Sequence, residues 1–194
     1  MRGQAVDFFN YVMVLSSVII GLGLTHLLQG AAGIAQNPGR EKIYWVHLVW
    51  VAAIFLRTVF WWWAEFQLSA TAEWSFGLYC FVLGYAVLIY LSCALLFPHD
   101  LVDYDGFRDY FHSRKGWFFG VALASLVVDV ADTLLKGVDH FRELGPGYPA
   151  SMAVLAGLFV AAMLTRNERF HAALAVGTLG FLALYPVLNF NVMR

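Results

Sequence analysis

Apolar residues in this chain do not form the narrow stripes of soluble amphipathic helices. They come in six long runs, at about 8–34, 43–66, 74–97, 117–138, 149–164 and 168–190, separated by polar breaks. A helix needs about 20 consecutive apolar residues to cross the hydrocarbon core of a bilayer, and a run near the short end still spans with flanking residues at the interface. The breaks carry turn chemistry: Gln36-Asn37-Pro38-Gly39-Arg40 after the first run, Pro98 after the third, LGPGYPAS before the fifth, and a tight charged turn from Arg166 to Arg169. Pro186 is expected to bend the last turn of the sixth run. Between the third and fourth runs, Leu101, Tyr104, Phe107 and Phe111 recur near helical period with Asp103, Asp105 and Asp109 among them. That pattern predicts a short amphipathic helix at the membrane surface, weakened by Gly106. The expected fold is an all-α integral membrane protein. Its six transmembrane helices, with that interfacial helix between helices 3 and 4, form one domain over 1–194.

Composition agrees with the pattern. The chain is 61% hydrophobic and 13% charged, where a soluble domain carries about 25% charge. A net charge of -1 offers no basic face for nucleic acid. Cys80 and Cys93 lie in one run, about 20 Å apart along a helix, too far to bridge each other. The first run lacks a basic leader and reads as a retained span. Arg40, Lys42, Arg108, Arg114, Lys115, Arg166 and Arg169 gather on one side of this topology, against Arg2, Lys136, Arg142 and Arg194 on the other. The richer side is expected to be cytoplasmic, with both termini outside. Trp61, Trp62, Trp63 and Trp74 then mark the outer interface, and Trp45 and Trp117 the inner one. Ser17, Gly21 and Thr25 form a small-residue stripe along the first span, suited to close helix packing.

Charged residues inside the runs are where chemistry is expected. Counting from the inner interface, Arg57 lies about 20 Å up its helix, and Asp129 and Asp132 about 18 and 22 Å up theirs. A lone charge at that depth costs roughly 2.5–3.5 kcal/mol, so an arginine–aspartate pair is the expected compensation. One arginine leaves one carboxyl over, as in a proton relay. In the alternative arrangement Asp132 pairs with Lys136, four residues on, and Asp129 locks its helix to Arg57. His26, His47 and His171 fall near the inner ends of three helices, with His112 close to the same level. Together they suggest a transition-metal or haem site, or a pH sensor. Glu168 and His171 have the Glu-x-x-His spacing of di-iron bundles, present once where such sites need it twice. The alternative is that each histidine hydrogen-bonds locally. No metalloprotease, nucleophile-elbow, P-loop or dinucleotide motif occurs, and no nucleophile–base pair points to an enzyme.

GLGLTHLLQG at 21–30, YWVHLVW at 44–50, LSCALLFP at 91–98, DYFHSRKGWFF at 109–119 and TRNERFHAALAV at 165–176 resemble a group of small, uncharacterised six-span proteins of the bacterial inner membrane. The resemblance covers most of the chain and implies location in that membrane, with no functional motif to transfer. The topology is also similar to that of the acid-gated urea channels, whose pore sequence is not present here. The leading expectation is a small channel or transporter, homo-oligomeric and coupled to protons or ions through Arg57, Asp129 and Asp132. A second is a haem- or metal-binding protein of electron transfer or sensing, with His26, His47 and His171 as ligands. A third is a structural or regulatory subunit of a larger membrane complex. The sequence specifies no cofactor, and the bilayer is the one partner it names.

Overall fold

The structure, a computed structural model, describes residues 2–37, 39, 42–66, 68 and 74–189, with the side chains of 2–7, 140 and 185–189 outside the description. Pro38, Arg40, Phe190 and Arg194, and the side chains of Arg2 and Pro186, therefore lie outside the described residues. All regular structure among these residues is helical: α1 (Arg2–Gln36), α2 (Trp45–Glu65), α3 (Phe76–Ala94), α4 (Phe107–Leu135), α5 (Val138–Glu143), α6 (Gly147–Leu164) and α7 (Glu168–Asn189). Five of these helices, α1, α2, α3, α4 and α6, are long and apolar enough to cross a membrane. α7 falls where the sixth run was expected.

Two boundaries differ from expectation. Residues 101–106 form turns and bends rather than a separate amphipathic helix, and the polar stretch 107–116 is the first part of α4 itself. The reason is Gly106, whose φ of +92° is a backbone conformation that L side chains rarely adopt. It breaks the chain there and lets Phe107 N–H donate to the Lys42 carbonyl at 3.1 Å. A Cβ at position 106 would stand 2.7 Å from that of Lys42. Lys42 and Asp105 add an exposed ion pair at 2.5 Å, so the segment before α2 is docked on the α3–α4 connection. The other difference is α5, a short helix inside the expected loop.

α2 is the centre of the bundle and lies against α1, α3, α4 and α7. Trp50, Ala53, Ile54, Thr58, Trp61 and Glu65 recur at helical spacing along it and are all buried. Trp50 meets Phe118, Phe119 and Phe159 edge-on, with ring centroids 5.2–6.3 Å apart. α1 packs on α3 through Ser16, Ile20, Gly23 and Leu27, not through the expected stripe. Gly23 sits 3.3 Å, measured from an ideal Cβ, from the Cys93 sulfur. Gly21 has nothing within 4 Å and, with Ser17, lines an open groove toward Thr58 and Trp62. Phe8, Tyr11, Val14, Val18 and Leu22 keep an apolar outer surface on α1, which suits lipid rather than water.

Contacts between helix ends fix the arrangement. The ends of α1, α3 and α6 meet the starts of α2, α4 and α7 at what we call the His47 end. The end of α2 meets the end of α4 at the opposite, Glu65 end.

Candidate functional site

Each end of the bundle holds a polar layer. At the Glu65 end, Asp129 of α4 accepts hydrogen bonds from two tyrosine hydroxyls. Tyr85 of α3 donates to Oδ1 and Tyr148 of α6 to Oδ2, both at 2.8 Å. Thr133 and Tyr148 share a further hydroxyl contact at 2.9 Å, and Thr133 also donates to the Asp129 carbonyl. Arg57 of α2 faces the Tyr85 hydroxyl. Arg57 and Asp129 are thus joined through Tyr85, whereas a direct ion pair was expected, and none links these two among the described residues.

Asp132 belongs to a second group. Lys136 contacts Asp132 at 2.6 Å, one helical turn away, and Glu65 of α2 at 3.1 Å. The three side chains are only 8%, 6% and 1% exposed, in the order Asp132, Lys136, Glu65. Among the described residues, Glu65 Oε2 is buried and has no hydrogen-bond partner. The sequence reading missed Glu65 and both tyrosines. The signal for Glu65 was present, because it continues the Ile54, Thr58, Trp61 stripe by one more turn.

The His47 end is built on backbone carbonyls. The last carbonyls of a helix have no partner within it. Beyond α3, three successive ones are taken by three other helices: Leu95 by the Tyr110 hydroxyl at 2.8 Å, Leu96 by His47 Nε2 at 2.6 Å, and Phe97 by His26 Nε2 at 2.9 Å. α6 ends in the same way. Lys115 Nζ donates to the carbonyls of Ala162, Met163 and Thr165, and His171 Nε2 bonds that of Thr165. Lys115 is thereby 7% exposed, a buried cap rather than the loop charge expected of it.

His26, His47 and His171 therefore each hold a backbone carbonyl, whereas both ring nitrogens of His112 are buried without a hydrogen-bond partner among the described residues. His47 lies between the rings of Phe97 and Phe107. His171 packs on Phe111, Phe119 and His112, with the two imidazole centroids 5.4 Å apart. Glu168 pairs with Arg108 at the surface. No three His, Cys, Asp or Glu side chains among the described residues are gathered to hold a metal ion. One prediction follows from the carbonyl contacts. Tyr110→Phe leaves the Leu95 carbonyl without its donor and should cost about 1 kcal/mol. Thermal unfolding in mild detergent reads this, and an unchanged midpoint would show that water replaces the hydroxyl.

The tryptophans divide. Trp45, Trp62, Trp63 and Trp117 are 54%, 39%, 48% and 69% exposed. Trp61 is buried and meets Tyr85 edge-on at 5.5 Å, so it is a core residue supporting the polar layer. Trp74 is half-buried against Phe9. No protein-family model, curated protein or solved structure matches this chain.

Proposed function

We propose that the chain is a six-span membrane protein of the transport class, with α7 as the sixth span, coupled to protons or ions through the layer at the Glu65 end. The observation that supports this reading is the layer's charge and position. Arg57, Glu65, Asp129, Asp132 and Lys136 come from two helices, and tyrosines from two more hold Asp129. Ionisable groups held inside an apolar bundle are expensive and mark ion or proton pathways. A purely structural lock would need one cation and one carboxylate; this layer has two and three.

On this reading the His47 end faces the cytoplasm, because Lys42, Arg108, Arg114, Arg166 and Arg169 lie there. The open groove at Ser17 and Gly21 suits a helix of a second copy. The test is flux in proteoliposomes loaded with a pH-sensitive dye, driven by a potassium diffusion potential. Wild-type protein should admit protons faster than empty vesicles, with a rate that depends on pH. Asp129→Asn should slow that flux while leaving the protein folded. Equal flux from wild type, variant and empty vesicles would sink the proposal.

A further inference from the structure

Were Arg57, Glu65, Asp129, Asp132 and Lys136 all charged, three carboxylates would stand against two cations among the described residues. The surplus negative charge would lie in a low-dielectric interior, where an uncompensated charge is costly. One proton removes it, and the hydrogen bonds distinguish the three candidates.

Both oxygens of Asp129 already accept from tyrosine hydroxyls, so neither is left without a partner. Asp132 holds the closer of the two contacts with Lys136, 2.6 Å against 3.1 Å. Glu65 accepts through Oε1 alone, and Oε2 is buried without a partner among the described residues. Glu65 is also the last residue of α2, where the aligned peptide dipoles leave partial negative charge, an unfavourable place for a carboxylate. The charged groups facing it are Lys136, Asp132 and Asp129, all from α4. Its cation, Lys136, is shared with Asp132.

We propose that Glu65 is the proton-binding site of this protein: Oε2 carries an exchangeable proton while Oε1 stays on Lys136. On release the O–H bond breaks, the proton leaves to water, and the electron pair stays on a carboxylate that Lys136 then shares with Asp132. The bound species is a proton rather than a metal cation, since the Lys136 ammonium already fills the space between the carboxylates. This extends the transport reading to a named residue and ion, and its test is separate from flux.

The experiment is infrared spectroscopy of the full-length protein in mild detergent, titrated with acid and base. Wild type should show the carbonyl stretch of a protonated carboxyl at neutral pH, downshifted in heavy water and lost on alkalinisation. Glu65→Gln should lack that titrating band, and Asp129→Asn, which takes away one of the three carboxylates, should keep it but lose it at lower pH. Should Glu65→Gln fail to fold, Glu65→Asp should move the band to a new frequency. Absence of the band in wild type, its survival in Glu65→Gln, or an unmoved band in Glu65→Asp each overturns the proposal. A titrating Glu65 without proton flux retains this inference and removes the transport reading; flux without a titrating Glu65 does the reverse.

Discussion

Lys136→Met is expected to destabilise the fold by about 3–5 kcal/mol, because it takes a shared cation away from two buried carboxyl groups. Lys136 is 6% exposed and stands between Glu65 and Asp132. Neither carboxyl group can turn to water, and a third, that of Asp129, lies one turn away on α4. Methionine fills much the same volume, so what is lost is the charge. The triple replacement Lys136→Met, Glu65→Gln, Asp132→Asn should be far milder, since buried ion clusters exchanged as a unit for neutral groups are often close to neutral in stability. The difference between single and triple variants, read as unfolding midpoints in mild detergent, measures the coupling. A Lys136→Met protein that melts with wild type would mean that water reaches the cluster.

The second large effect is expected at Gly30→Ala. A Cβ at this position of α1 falls within the ring of Phe97. Phe97 is 5% exposed, its ring stands edge-on to His47 and Phe107, and moving it into the pocket beside Gly30 would break those contacts. Overpacking of this kind costs about 1–3 kcal/mol. It acts against the 0.5–1 kcal/mol or so that alanine gains over glycine in a helix. Gly33→Ala supplies the control one turn later, since nothing lies within 4 Å of its Cβ. Gly33→Ala should be neutral or slightly stabilising, and Gly30→Ala should melt lower. Phe97→Leu in the Gly30→Ala background should recover part of the loss. Equal midpoints for the two glycine variants would show that α1 does not seat against Phe97.

Much of this fold was legible as hydropathy. The α2, α3 and α6 boundaries fall within a few residues of the apolar runs, because a long apolar helix has few other places to be. The start of α4 was not legible. Phe107 and Phe111 read as part of a separate surface helix, yet Tyr110, Phe111, Lys115, Phe118 and Phe119 lie on a buried face of α4 itself. Lys115 is the residue that misleads, since a lysine in a buried position signals itself only once its three carbonyl acceptors are known.

The candidate site was half legible. Depth along the helices brought Arg57 and Asp129 to one level, and both join the same polar layer. Depth could not supply the intervening tyrosine. Glu65 was lost because it follows three tryptophans and counts as a residue at the membrane boundary, where a carboxylate needs no explanation. Only its burial makes it a question. The histidines share one end of the bundle, as expected, but helix-end carbonyls compete for imidazole nitrogens, and local contacts prevail.

Those carbonyl contacts bear on how the chain is made. Synthesis runs from residue 1 onward, and His26 and His47 precede the Leu96 and Phe97 carbonyls they meet, as Lys115 precedes those of Ala162, Met163 and Thr165. When α3 and α6 emerge, donors on earlier helices are already in place to receive their unpaired ends. Tyr110 and His171 arrive afterwards and complete each set. Assembly can thus proceed in two stages, each closing as the nascent chain reaches the next helix, without leaving a bare helix terminus to wait for the finished protein.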